Sequence, residues 1–430
     1  MYRLNGMTTS GGTTVVSNVS YNAANQLLTI NYPTGNETRA DNSLNQLTSL
    51  SVQLPYYPYS YPENLTYNSP TTGTNNGKIS SMNNAASGET ITYTYDSLNR
   101  LLTASCNGTA SNWGGFDGFG NLLSMTITAG SAPSLSQAVS ATTNQIVGYT
   151  YDANGNMNVS VGPPYVGYDV ENRLSNTHGV QYGDDAQNKR TWSWTGSTDL
   201  CSQGNPNAYL VSLYSPTGQK LATYEMSVFN TANSGLALTL LSTLHTSDQY
   251  FGSRRLAVMD QLGSAGTFYP FGENKGSTNP QDTWSFATYW QDSASGLDYA
   301  NNRYYSSQYG RFMTPDPSRS SGGPNNPQSW NRYAYVSGDP VNFRDPGGLM
   351  EEEVCAGMTA TPAMTEVAAG ASAGATRHRR TAMIRASEPM GSRRARARIV
   401  RRAARYHRSC GSADANVPAR LHTRGGVQAT

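Results

Sequence analysis

Along one stretch of the chain, Ile91, Tyr93 and Tyr95 alternate with Thr92, Thr94 and Asp96. A two-residue period puts the large side chains on one face of a strand and the polar ones on the other. Ser97-Leu98-Asn99-Arg100 then supplies turn residues, and Leu101-Leu102-Thr103 begins a return strand. The Asp96 carboxylate is short enough to accept hydrogen bonds from backbone amides just ahead of it, which closes the turn. The unit predicted is a β-hairpin. It recurs at Tyr151-Asp152-Ala153-Asn154-Gly155-Asn156-Met157 and at Tyr168-Asp169-Val170-Glu171-Asn172-Arg173-Leu174, with weaker copies from Tyr21, Asp41 and Phe116. Tyr21 to Asp41 is 20 residues, Tyr95 to Phe116 is 21 and Tyr151 to Tyr168 is 17. A period near 20 predicts a repeat architecture over residues 1–250. One hairpin cannot bury its apolar face alone, so neighbours pair edge to edge.

Two stretches interrupt this rhythm. Residues 51–77 are rich in Pro and Tyr and read as an excursion between repeats. Gly235-Leu236-Ala237-Leu238-Thr239-Leu240-Leu241 fits a buried strand pair or a short helix, and periodicity does not decide between them. From 250 the chain returns to aromatic β character, which leads into a stretch of different design, 296–349. It holds Asp316-Pro317, Asp339-Pro340 and Asp345-Pro346, the clusters Arg303-Tyr304-Tyr305 and Arg311-Phe312, and the ending Gly347-Gly348-Leu349. Proline fixes its own φ and drives the preceding residue out of the helical region, so this stretch is not helical. Its Tyr, Phe and Trp side chains bury large areas with few rotatable bonds, as a compact plug requires.

Composition agrees with many short strands. Apolar residues are 37 % and charged residues 13 %, both below ordinary globular usage. Charge adds a boundary. Residues 350–430 carry 14 Arg, no Lys and 6 acidic residues, a net +8, which leaves a body of net −6 within the overall +2. Cys106, Cys201, Cys355 and Cys410 lie far apart with no Cys-x-x-Cys, so neither a zinc site nor a redox pair is indicated. No cofactor or metal is expected. No apolar run is long enough to span a membrane. The first residues do not form a signal peptide and fall inside a repeat, as a piece of a longer chain would.

Two segments, GLDYANNRYYSSQYGRFMTPDP and WNRYAYVSGDPVNFRDPGGL, resemble the core module of Rhs (YD-repeat) proteins, and the Tyr-Asp turns resemble the YD repeats of the same family. The lead-in Asp260-Gln261-Leu262-Gly263-Ser264 and Tyr269-Pro270-Phe271-Gly272 is similar to the approach to that module. The resemblance implies an all-β fold in three parts: YD-repeat antiparallel hairpins spiralling into a partial hollow shell (1–250), a core plug (251–349) and a variable basic tail (350–430). It also implies a bacterial, secreted or cell-surface protein of toxin encapsulation and delivery, like the C component of toxin complexes. Its own C-terminal segment would be the cargo, with toxin-complex, secretion-system or immunity proteins as partners.

The resemblance further implies a single-turnover aspartyl autoprotease that cuts once between Leu349 and Met350. Asp316 and Asp345 would be the acid-base pair and Arg303 their partner. Two carboxyls held close cannot both ionise readily, so one keeps a proton to polarise the scissile carbonyl while the other activates water. The chain departs from the family pattern in Asp316-Pro317-Ser318-Arg319, where the family has Gly in fourth place, and in an added loop from Ser320 to Pro327. Asp339-Pro340 reads as a structural turn. The other reading of the whole chain is a structural or adhesive cell-surface YD-repeat protein without peptidase activity.

Remaining motifs carry less. Gly370-Ala371-Ser372-Ala373-Gly374 has the spacing of a nucleophile elbow but lacks the strand and helix an elbow needs. Asp152-Ala153-Asn154-Gly155-Asn156 starts like a calcium loop, yet its twelfth position is Pro163 rather than Glu. His178 and His245 have no ligand partners at useful spacing. In the tail, 356–376 reads as a linker. Arg394, Arg398, Arg401, Arg405 and Arg408 form a helical stripe suited to nucleic acid or an anionic surface.

Overall fold

A computed structural model describes residues 3–354 apart from 34, 54–62, 71–74, 108, 129–131, 159–165, 196–206, 231–237, 253, 257–259, 276–281, 319–321 and 324–326. The tail motifs, including the elbow pattern and the Arg stripe, lie outside the described residues, as do Cys201, Cys355, Cys410 and Arg319. One compact unit comprises Met1–Thr195, Tyr209–Glu225 and Thr243–Gly374. A second, Gly196–Ala208, Met226–Ser242 and Ala375–Thr430, falls mostly outside the described residues.

The fold is all-β and antiparallel. Among the described residues, an eleven-stranded sheet runs in sequence order from Asn18–Tyr21 to Leu135–Ser136, and a seven-stranded sheet from Gly167–Tyr168 to Leu238–Ser247. A five-stranded sheet of very short strands, Thr283–Trp284 to Arg311–Phe312, belongs to the plug stretch. Helical structure among the described residues is confined to short 3-10 turns such as Phe286–Thr288 and Val336–Gly338. Of the Leu-rich segment 235–241, residues 238–241 open the strand Leu238–Ser247, and 235–237 lie outside the described residues. The stretch read as an excursion over 51–77 is in part sheet. Glu63–Asn68 pairs with Leu47–Gln53, and its Glu63, Leu65 and Tyr67 alternate inward, a period that the prolines before it obscure.

Each repeat turn is built the same way. In the copies headed by Asp96, Asp117, Asp152 and Asp169, Oδ1 accepts the amides two and four residues ahead at 2.9 Å. Asn42 does the same with its amide oxygen. The third residue after the head adopts positive φ and is Asn or Gly: Asn45, Asn99, Gly120, Gly155 and Asn172. These residue types reach the left-handed region at least cost. The residue before each head pairs with the residue six further on: Tyr21 with Leu27, Asp41 with Leu47, Tyr95 with Leu101, Phe116 with Leu122, Tyr151 with Met157 and Tyr168 with Leu174. Tyr95, Tyr151 and Tyr168 are therefore equivalent.

Neighbouring copies are also stapled through side chains. Arg100 holds Asp96 Oδ2 at 2.7 Å and reaches the Asp117 carbonyl of the next turn at 2.8 Å. Arg173 repeats the arrangement between Asp169 and Asp185. Tyr168 Oη donates to the Met157 carbonyl one repeat back.

Two copies escaped the sequence reading. Asp185 and Ser215 head turns with Asn188 and Gly218 at positive φ. Their sixth residues are Arg190 and Lys220 rather than an apolar residue, yet each is 5 % exposed. Arg190 meets Asp292 and the hydroxyl of Tyr304, and Lys220 lies over the Trp290 ring. The plug stretch thus contributes to two cores. Phe271, Phe286, Tyr289, Tyr305, Phe312 and Tyr335 pack with Leu47, Leu50, Tyr67, Leu101 and Leu122 of the larger sheet. Trp290, Leu297, Tyr299 and Tyr304 pack with Met157, Leu174, Val180 and Tyr182.

Candidate functional site

Arg303, Asp316 and Asp345 converge although 42 residues separate the first from the last. Arg303 directly precedes the strand Tyr304–Ser306, Asp316 follows Arg311–Phe312, and Asp345 follows Phe343–Arg344. The Arg303 side chain is 3 % exposed, with its guanidinium carbon 3.6 Å from the centre of the Phe312 ring. Its Nη2 lies 3.2 Å from Asp345 Oδ2 and 3.7 Å from Asp316 Oδ2. Nη1 donates to the Arg332 carbonyl at 3.1 Å, and Nε donates to the Gly348 carbonyl. One cation thus faces two buried carboxyls, an imbalance relieved when one carboxyl keeps a proton.

Asp345 is placed against the bond of interest. Its Oδ1 accepts the amide of Leu349 at 2.9 Å and that of Met350 at 3.0 Å. Burial pushes its carboxyl above the usual carboxylate range, the Arg303 charge and these two amides work against that shift, and the Asp316 charge adds to it. Burial also lowers the pKa of the Arg303 guanidinium, while the two carboxylates oppose the change. Asp316 Oδ1 accepts the Ser318 amide at 2.7 Å, and Arg332 donates to the Asp316 carbonyl at 2.7 Å. Leu349 is half-buried and Met350 is exposed.

Three consecutive residues grip three consecutive carbonyls ahead of this bond. Asn301 Nδ2 donates to Pro346 O at 3.0 Å, Asn302 Nδ2 to Gly347 O at 2.8 Å, and Arg303 Nε to Gly348 O. Gly348 has φ +69°, and a Cβ there would lie 2.7 Å from the Ala300 carbonyl oxygen. Tyr289 Oη donates to the Asp345 carbonyl at 2.7 Å. Sequence reasoning missed Asn301, Asn302, Arg332 and Tyr289. The adjacency of Asn301-Asn302 to Arg303 is a signal only once the register with 346–348 is known.

Other candidates stand apart. Asp339 takes Lys78 at 2.7 Å and the Asn342 amide at 3.2 Å. His178 Nδ1 contacts Thr177 Oγ1, and His245 Nε2 contacts the Asp282 carbonyl. The calcium-like segment at Asp152 is one of the repeat turns.

No family model matches the chain. A curated relative, the putative uncharacterized protein YlbH of Escherichia coli (strain K12), is 35 % identical over 105 residues, which is 23 % of this chain and 42 % of YlbH. Among solved structures, the crystal structure of TcdB2-TccC3-TEV matches with a TM-score of 0.57 at 18 % identity, covering 80 % of this chain and 20 % of that one. The Photorhabdus luminescens Tc holotoxin pore matches with a TM-score of 0.57 at 17 % identity, covering 81 % and 20 %. The chain therefore has the all-β fold found in these toxin-complex chains and spans about a fifth of their length.

Proposed function

We propose that this chain is the repeat-and-core portion of an Rhs-type toxin-encapsulation and delivery protein, and that its core cuts the chain once between Leu349 and Met350. The observation that carries the reading is the contact of Asp345 Oδ1 with the Met350 amide while Asp345 Oδ2 shares Arg303 with Asp316. Asp316 takes a proton from water, and the water oxygen bonds to the Leu349 carbonyl carbon. Asp345, as the member of the pair that keeps a proton, then delivers it to the Met350 nitrogen as the C–N bond breaks; this leaves a Leu349 carboxyl, a Met350 amine and the proton from water on Asp316. Its raised pKa suits that second role. Arg303 and the two asparagines hold the loop, so proximity replaces substrate binding. The likeness in fold to toxin-complex chains supports the delivery role, with residues 350–430 as cargo and toxin-complex proteins as partners outside the cell. The acidic body and basic tail suit one another electrostatically. The three-part division at 250 and 349 and the partial hollow shell belong to this same reading.

A structural or adhesive role without peptidase activity also has an observation in its favour. Asp345 Oδ1 accepts the amide four residues ahead, as every repeat-turn Asp does. Intact mass under denaturing conditions separates the two. Wild-type protein should give two pieces divided at Leu349/Met350, Asp316→Asn and Asp345→Asn should give one, and Asp339→Asn should still give two. Full-length wild type, or both site variants cut as fast as wild type, sinks the protease reading.

A further inference from the structure

The chain does not leave the core at Met350. Ser337 Oγ donates to Glu351 at 3.3 Å. Glu352–Glu353 forms an antiparallel pair with Phe343–Arg344, with Arg344 opposite Glu352 and Phe343 opposite Glu353. Arg344 grips the Glu352 carboxylate through Nε at 2.7 Å and Nη2 at 2.6 Å. The Val354 amide donates to the Asn342 carbonyl at 2.8 Å, and Val354, 6 % exposed, belongs to the larger core cluster. With the Met350 amide on Asp345, all five residues after Leu349 are tied to residues 337–345 or to the core.

We propose that residues 350–354 are a docking strand that holds the downstream chain on the core whether or not the Leu349–Met350 bond is intact. Its occupant is this chain's own C-terminal segment, seated on the edge of Phe343–Arg344 with Val354 as the apolar anchor. Main-chain pairing supplies the hold, and one side-chain socket and one ion pair fix the register. For the cut state the proposal rests on the protease reading above. There, hydrolysis converts the Met350 amide into a primary amine, protonated at neutral pH. That ammonium arises beside Asp345, so a neutral N–H donor is replaced by a charge-assisted one. Cleavage in this geometry leaves the tail docked, and its departure requires the strand to peel away.

The test uses the full chain with an affinity tag after Thr430. Denaturing mass reports cleavage, and native size-exclusion chromatography reports whether the tagged piece travels with the body. The expected result is one native peak holding both pieces. Val354→Asp should weaken retention about tenfold or more, since it removes a buried aliphatic group and buries a charge. Glu352→Lys, at a half-exposed side chain, should weaken it less and guards against misfolding of the first variant. Hydrogen exchange on Asp345→Asn protein gives the second arm, independent of cutting: the Val354 amide should be protected, and Val354→Asp in that background should abolish protection. A tail that separates from wild-type body on the column overturns the proposal. So does Val354 exchanging as an unstructured amide, or Val354→Asp leaving retention and protection unchanged. Uncut wild-type protein would count against the protease reading alone, with the docking strand still decided by exchange.

Discussion

Gly347 and Gly348 are adjacent, yet the structure predicts opposite tolerance to alanine. At Gly347 an added Cβ meets nothing within 4 Å, and its φ lies outside the left-handed region. At Gly348 the φ of +69° costs a non-glycine residue about 1 kcal/mol or more. The new Cβ would also stand 2.7 Å from Ala300 O and 3.2 Å from Arg303 N, both backbone atoms of the turn that grips the loop. Either that turn or the loop must shift, and the hydrogen bonds from Asn301, Asn302 and Arg303 lengthen together. Each is worth about 1 kcal/mol, so losing one or two alongside the strain gives a total of about 2–4 kcal/mol. Urea unfolding followed by tyrosine and tryptophan fluorescence should show a clear fall in midpoint for Gly348→Ala and a change within about 0.5 kcal/mol for Gly347→Ala. On the protease reading, Gly348→Ala should also slow cleavage, because the scissile bond leaves Asp345. Equal midpoints for the two variants would refute the claim that this loop is clamped through its carbonyls.

Other consequences are simpler to state. Glu273 and Asp298 are buried carboxyls that burial pushes up to about 8 each. The folded state therefore holds protons that the unfolded chain releases near pH 4, so their contribution is full below that pH and is lost as pH rises through about 8. Stability should fall between pH 5 and 8 by up to about 1.4 kcal/mol per pH unit per group, and Glu273→Gln should flatten the slope in denaturant titrations. Asp96→Ala removes two turn amide partners and the Arg100 ion pair, and should cost about 1–2 kcal/mol by urea unfolding. A loss under about 0.3 kcal/mol would show that Asn99 alone sets the turn.

The hairpins were legible because every determinant is local. A head residue, two amides and one left-handed position all fall within five residues, so Asp96, Asp152 and Asp169 announce themselves. Asp185 and Ser215 did not, because their sixth residues are Arg190 and Lys220, and a polar residue in the inward register reads as a broken repeat. Both side chains are buried all the same, against Asp292, Tyr304 and Trp290, 70 or more residues away. Periodicity carries no information about such partners. The same limit explains Asn301 and Asn302, whose use depends on a loop 45 residues downstream.

Two things separate Asp345 from a repeat-turn aspartate: its second amide lies five residues ahead, at Met350, rather than two, and its surroundings are different. Asp96 and Asp345 each accept the amide four residues ahead through Oδ1. Asp96 has its cation within its own copy, on Arg100, and its side chain is 21 % exposed, so water screens the charge. Asp345 has no such local partner. Its cation, Arg303, comes from another strand end, is shared with Asp316, and is sealed over by Phe312, leaving the Asp345 side chain 5 % exposed. A turn that merely shapes the chain in water becomes, once buried beside a second carboxyl, one whose acceptor oxygen faces a peptide nitrogen with a raised pKa behind it. On the protease reading, restoring water to that aspartate should therefore remove cleavage while sparing the turn. Phe312→Ala opens the lid over Arg303, whereas Asp345→Asn keeps an oxygen to accept the Leu349 amide. If cleavage occurs, both variants should lose it, but only Phe312→Ala, which empties a fully buried ring site, should also lower stability by about 3–5 kcal/mol. Urea unfolding and intact mass on the same samples read the two effects separately. A Phe312→Ala protein that folds and still cuts at the wild-type rate would show that exclusion of water is not what arms Asp345.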